Sequence, residues 1–180
     1  MPRIPVHTVT DAPEDSRDAL KALEVKFGKV LNIHGEMAHA PVVVQGYSAL
    51  QRAIADFGTF DPATREAIAL AVGKVDGCDY CQSAHTLSAK RAGFSEEQTI
   101  AIREDQVDFD SKLAALLTLV RESAANLGHV PDAVWQRALD AGWTDTELTE
   151  ASVHIVVNLF TNHFNHLVQT DLDVPAAPGL

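Results

Sequence analysis

Helix start and stop signals recur along this chain, with little sequence left between them, and they confine it to an all-α fold. Asp61-Pro62 pairs an N-cap acceptor with a proline suited to a first turn. Ser95-Glu96-Glu97-Gln98 and Thr144-Asp145-Thr146-Glu147 both have the spacing of a capping box. Gly58, Gly93, Gly128 and Gly142 stand where apolar periodicity stops. Between these marks apolar residues recur every three or four positions, as in Ala19, Leu20, Leu23, Phe27, Val30 and Leu31, or in Leu113, Leu116, Leu117, Val120 and Ala124. No segment alternates strictly and no hairpin signal is present.

The pattern predicts a first helix over about 13–31 and a second opened by Pro41 that stops near Gly58. The stretch 31–41, LNIHGEMAHAP, reads as a loop or broken helix. A third helix follows Asp61 and ends at the turn Asp76-Gly77, and a fourth contains DYCQSAHTLSAKRAG. A short helix follows Ser95, an amphipathic one covers 108–128, another runs from Pro131 toward Gly142, and a long one runs from Thr144 toward Val168. The 180 residues suit a single all-helical domain over 1–180, with its core over about 14–170 and residues 171–180, which hold Pro175 and Pro178, as an extended arm. Segments 60–72 and 144–156 echo each other faintly, with Glu66 and Glu150 at corresponding places, as a duplicated helical unit would.

Charge narrows the partners. A formal net charge of −11 repels phosphate backbones and anionic lipid, which argues against nucleic acid and membrane binding. Apolar runs are too short to span a bilayer, and the N-terminus lacks a run of signal-peptide length, so a cytoplasmic protein is expected.

In a reducing cytosol a close cysteine pair points to redox or metal chemistry rather than a structural disulfide. The chain has two cysteines, and both lie in EAIALAVGKVDGCDYCQSAH, residues 66–85. Three residues apart at a helix mouth, Cys78 and Cys81 face the same side, where orphan N–H groups and the helix dipole favour a thiolate. His85 lies one turn past Cys81 and is placed to exchange a proton with sulfur. The turn KVDG folds the preceding helix back, so that Glu66 can point at the thiols. One sulfur would attack an electrophilic oxygen or sulfur and its partner would close a disulfide, with Glu66 and His85 moving the proton. A zinc site on Cys78, Cys81 and His85 lacks the second Cys/His pair that structural zinc usually brings. A pair of packed, redox-inert cysteines is the other competing reading.

The pattern Glu66, eleven residues, Cys78-Asp79-Tyr80-Cys81, three residues, His85 resembles the signature of alkyl hydroperoxidase D-like proteins of the carboxymuconolactone decarboxylase superfamily. The similarity runs from about residue 30 to the tail QTDLDVPAAP, which resembles the peroxidase-related members. The resemblance implies an all-helical homo-oligomer (trimer, hexamer or dimer) and a thiol-dependent peroxidase that reduces hydroperoxides without haem, metal or other cofactor. It implies Cys81 as the attacking thiol, Cys78 as its resolving partner, Glu66 and His85 as the relay, and a lipoyl-bearing or other dithiol protein as reductant. The family pattern has a histidine immediately before the second cysteine, where this chain has Tyr80, a hydrogen-bond donor but a poor base.

Other polar residues were weighed against these. His163 and His166 share a helix face with Asn158, Asn162 and Asn165 nearby, which reads as a hydrogen-bonded seam, with His163 a candidate for the pocket or relay. His34, Glu36 and His39 could hold a metal but suit capping or solvent as well. Besides the peroxidase, three readings are carried: a thiol–disulfide oxidoreductase with little peroxidase activity, a non-catalytic oligomeric stress or sensor protein, and a lyase on a lactone acid. The last would need basic residues near the site, where only Arg65, Lys74 and Lys90 are available.

Overall fold

A computed structural model describes residues 2–180. Among the described residues it has nine α-helices and no strand: α1 (Glu14–Phe27), α2 (Asn32–Met37), α3 (Pro41–Phe57), α4 (Pro62–Val75), α5 (Asp79–Arg91), α6 (Glu96–Arg103), α7 (Ser111–Ala125), α8 (Asp132–Asp140) and α9 (Asp145–Val168). The expected caps form. Asp61 accepts from the N–H of Thr64 at 2.7 Å, Ser95 and Gln98 close a capping box, and Thr144 and Glu147 close another. Each satisfies backbone donors that the first turn leaves without helical partners.

Two boundaries differ from the sequence pattern. The first helix ends at Phe27, because Gly28 turns left-handed at φ 79° and its N–H closes on Glu24 O at 2.8 Å. The apolar residues Val30 and Leu31 therefore lie beyond it. The stretch read as a loop or broken helix contains α2, a short helix interrupted in sequence by Gly35. No side chain fits at Gly35: a Cβ there would lie 2.4 Å from Val6 Cγ1 and 2.5 Å from the carbonyl oxygen of His7. The glycine is an approach point for the N-terminal segment, whose His7 N–H donates to Gly35 O at 3.2 Å.

The chain forms two compact units. One comprises the residues up to Phe57 with His163–Asp173. In it α1, α2 and α3 pack together around Ala12, Leu20 and Ala38. Lys29 pairs with Asp173 at 3.0 Å, and Asn32 donates to Asp171 O at 2.9 Å, so the segment after α9 is fastened to the start of α2.

The other unit comprises Gly58–Asn162 with Val174–Leu180 and carries the larger core. Its central element is α4, in which every residue from Ala67 to Gly73 is buried. A helix apolar on all sides is stable only when surrounded, and α4 is packed by α5, α6 and α7. The last residues of the chain fold onto this unit: the Ala177 N–H donates to Ser83 Oγ at 3.1 Å, and buried Arg103 donates to the Pro178 carbonyl.

Candidate functional site

Two residues of turn separate the site's elements. Helix α4 ends at Val75, Asp76 stays in right-handed geometry, and Gly77 takes φ 63°, a conformation that costs glycine little. Cys78 N–H then closes back on Gly73 O at 2.9 Å, and α5 begins at Asp79. The turn is held from outside by Asn162, whose side-chain amide donates to Asp76 Oδ2 at 2.9 Å. The two helices come close at Gly73, where a Cβ would just fit, 3.4 Å from Gln82 Cγ and 3.6 Å from Cys81 Cβ.

Cys78 is the N-cap of α5, and its sulfur accepts the Cys81 N–H at 3.3 Å. The two cysteines are not joined by a disulfide, and both are buried, at 2% and 3% exposure. One turn further along α5, His85 Nδ1 meets Glu66 Oε2 of α4 at 2.8 Å. Burial works against a charge on His85. The Glu66 carboxylate, through its charge and its hydrogen bond, and the charge of Cys78 outweigh it, so the imidazole holds its proton above the ordinary histidine range. The structure thus brings four of the sequence-derived residues, Glu66, Cys78, Cys81 and His85, onto two adjoining helices. The pair is a carboxylate-oriented imidazole, and its Nε2 is the nitrogen left for exchange with a sulfur or a bound substrate.

Tyr80 is buried in the first turn of α5, between the cysteines in sequence. His163 and His166 are exposed on α9, and His163 falls in the other compact unit from the thiols. The asparagine seam is bonded as a structural element would be. Asn158 donates to His154 O at 2.8 Å, Asn162 to Asp76, and Asn165 is buried. His34 is buried with its ring 5.0 Å from Phe27 and 5.6 Å from Tyr47, while Glu36 accepts from Thr170 Oγ1 at 2.5 Å and His39 meets Pro5 O at 2.7 Å. No group of three or more His, Cys, Asp or Glu among the described residues is arranged to hold a metal.

The sequence reading missed two features beside the site. Gln82 and Thr86, one turn apart on α5, are buried, and Gln82 Oε1 and Thr86 Oγ1 lack hydrogen-bond partners among the described residues. Their signal was polar residues on an α5 face that packs inward, visible only once α4 is known to be central. The second is Glu150, whose carboxylate accepts from Thr59 N–H at 2.8 Å and from Phe60 N–H at 3.2 Å, just ahead of α4, and pairs with His154 at 3.2 Å. Glu66 and Glu150, which correspond in the sequence echo, therefore have different work: one orients His85 and the other anchors the entry to α4.

Comparison with known proteins agrees with this geometry. Residues 41–122, which include all four site residues, match the carboxymuconolactone decarboxylase family. No curated protein matches the chain by sequence. Among solved structures, an alkylhydroperoxidase AhpD core, peroxidase-related protein from Ralstonia eutropha JMP134 superposes with a TM-score of 0.85 at 19% identity, covering 96% of this chain and 92% of its own. A peroxidase-related protein from Silicibacter sp. TM1040 gives 0.79 at 15% identity, covering 94% and 91%. The debrominase Bmp8 gives 0.78 at 19% identity, covering 93% and 90%. No helix is long and apolar enough to cross a membrane among the described residues. Over residues 41–122 the chain is similar to the carboxymuconolactone decarboxylase family, and its nine described helices form the AhpD-like fold.

Proposed function

We propose that the protein is a thiol-dependent peroxidase that reduces a hydroperoxide to an alcohol and water through Cys78 and Cys81, with Glu66 and His85 as the proton relay. The observation that carries this reading is the 2.8 Å Glu66–His85 pair on the same two helices as a dithiol whose first sulfur caps α5. A buried dithiol alone fits packing as well as chemistry. A carboxylate-oriented imidazole beside it supplies what a redox thiol needs and a packed one does not: a path for the proton of the thiol and for the leaving oxygen.

The stoichiometry closes without a cofactor. The dithiol gives up two electrons and two protons, the O–O bond breaks, and an alcohol, a water and a Cys78–Cys81 disulfide result. A second dithiol, of the class a lipoyl-bearing protein presents, returns the electrons by exchange. The same reading expects a homo-oligomer in the cytoplasm. The test is hydroperoxide consumption with dihydrolipoamide by wild type, Cys78→Ser and Cys81→Ser. Loss of turnover in both variants is expected. Full turnover in either removes the dithiol mechanism, and disulfide exchange without peroxide consumption favours the oxidoreductase alternative.

A second substrate class has a specific observation behind it. A cysteine-to-alanine variant of the debrominase Bmp8 in complex with 2,3,4-tribromopyrrole superposes on this chain with a TM-score of 0.78 at 20% identity, covering 96% of this chain and 91% of its own. An aryl bromide, like a peroxide, offers an electrophilic atom to a thiolate. Bromide release from that pyrrole, measured beside hydroperoxide consumption, separates the two substrates on the same thiols.

A further inference from the structure

We propose that Cys78, rather than Cys81, is the thiolate of the resting dithiol and the sulfur that attacks the substrate, with Cys81 closing the disulfide. This rests on the thiol-oxidoreductase reading above and reverses the order that the family resemblance implies.

Three observations converge on Cys78. Its sulfur is the N-cap acceptor of α5 and takes the Cys81 N–H at 3.3 Å. An N-cap acceptor faces the unsatisfied N–H groups and the positive end of a helix dipole, here of a thirteen-residue helix. A thiolate accepts such a bond far better than a neutral thiol, so the cap itself favours ionisation of that sulfur. Cys81, three residues on, supplies the backbone donor of this bond.

The second observation is the cation. A negative charge on Cys78 favours the protonated form of His85, less strongly than Glu66 does at 2.8 Å, so a protonated His85 in turn favours a Cys78 thiolate. The third is Tyr80. The residue immediately before the second sulfur is a buried phenol, which carries no positive charge to favour a Cys81 thiolate. Access does not decide between the sulfurs, since their exposures are 2% and 3%. Burial of Cys78, the carboxylate of Asp79 in the first turn and the carboxylate of Glu66, which His85 offsets at 2.8 Å, oppose the assignment. Asp79 is exposed, so water screens it, whereas the cap bond lies between buried atoms.

The steps follow. The Cys78 thiolate attacks the outer oxygen of a hydroperoxide; the S–O bond forms, the O–O bond breaks, and the departing alkoxide takes a proton from His85 and leaves as alcohol. The Cys81 thiol then attacks the Cys78 sulfenic acid, the S–S bond forms, and the hydroxyl leaves with the Cys81 proton as water. An external dithiol restores both thiols.

Two measurements test the assignment. In the first, reduced wild type receives a short pulse of limiting iodoacetamide at about pH 6, and the two cysteines are quantified by peptide mass spectrometry; Cys78 is expected to label about tenfold faster. In the second, Cys78→Ser and Cys81→Ser receive one equivalent of cumene hydroperoxide with dimedone present, after circular dichroism has confirmed that each is folded. Sulfenic acid is expected on Cys78 of Cys81→Ser, at a rate well above that on Cys81 of Cys78→Ser. Faster labelling of Cys81, or faster sulfenic acid formation there, overturns the proposal. Selective labelling of Cys78 with no peroxide consumed in any form leaves the thiolate assignment standing and defeats the peroxidase reading instead, so the two fail separately.

Discussion

A carboxylate 2.8 Å from Nδ1 of His85 fixes the tautomer of the ring as well as its charge, because Nδ1 must be the donor in that bond. The neutral ring then offers Nε2 as a base and the protonated ring offers Nε2–H as an acid, so one residue can serve both halves of a thiol cycle. Since the raised pKa of His85 depends chiefly on Glu66 overcoming burial, Glu66→Gln should lower it. The sign follows. With His85 as the acid for the leaving alkoxide, turnover falls as pH rises through the His85 pKa, and Glu66→Gln moves that falling limb to lower pH. The change in kcat/KM at neutral pH should be of the order expected for loss of general acid–base assistance, about 10²- to 10⁴-fold. A pH–rate profile read together with an NMR titration of the His85 ring checks this; an unmoved ring titration in Glu66→Gln would refute it. Stability is linked the same way. A histidine whose folded pKa is raised contributes stability that is fully present below 6.5 and is lost as pH rises through the folded value.

At the scale of the elements, the geometry depends on how closely α5 lies on α4, and Gly73 stands where the two helices meet with room for no more than a methyl group. Its missing Cβ would meet Gln82 Cγ at 3.4 Å and Cys81 Cβ at 3.6 Å, which are ordinary contacts, and its φ is not in the left-handed region. Gly73→Ala should therefore be tolerated or stabilise by up to about 1 kcal/mol through helix propensity, with thiol reactivity unchanged. Gly73→Leu should wedge the helices apart, cost about 1–3 kcal/mol and slow the thiols together with the Glu66–His85 pair. Urea unfolding and the rate of thiol labelling measure both. The same elements mark what could be read from the sequence. Caps are local, so α3 to α9 were legible from Asp61, Ser95, Thr144 and the terminal glycines, and the spacing of Glu66, Cys78, Cys81 and His85 already marked the four candidates that α4 and α5 bring together. The short helix at 32–37 was not legible, because Gly35 looks like a breaker until Val6 and His7 are seen lying against it. Nor were Asn162 and Glu150. Asn162 meets its partner, Asp76, 86 positions away, and Glu150 meets Thr59 at a separation of 91. No periodicity carries contacts of that range.

Across the whole molecule, the buried titrating groups are shared between the two compact units, and this gives a way to ask whether the units unfold together. His34, in the unit built on α1 to α3, is pushed down to about 4, first by burial and then by Lys26. A depressed histidine stays neutral in the fold while the unfolded chain takes up a proton, so stability should fall as pH drops from 6.5 toward about 4, by roughly 3 kcal/mol. Glu36 in the same helix pulls the other way. Burial raises its pKa more than the Thr170 hydrogen bond lowers it, so acidification toward 4.5 adds stability, and Glu36→Gln should steepen the loss. In the other unit, burial of Glu150 is outweighed by the Thr59 and Phe60 hydrogen bonds, which hold it at about 2, so a separate loss is expected between 4.5 and about 2. Trp135 and Trp143 both lie within Gly58–Asn162 and report on that unit alone, whereas far-UV circular dichroism reports on every helix. The 24-residue helix α9 contributes to both units, and helix formation is cooperative along its length, so the units should unfold in one transition. In that case the urea midpoint seen by tryptophan fluorescence falls between pH 6.5 and 4 although His34 lies in the other unit, it coincides with the midpoint by circular dichroism, and His34→Gln flattens it. A tryptophan midpoint that stays level across that range while the dichroism splits into two steps would mean that each unit melts by itself, and then His34 could no longer influence the helices that carry the thiols.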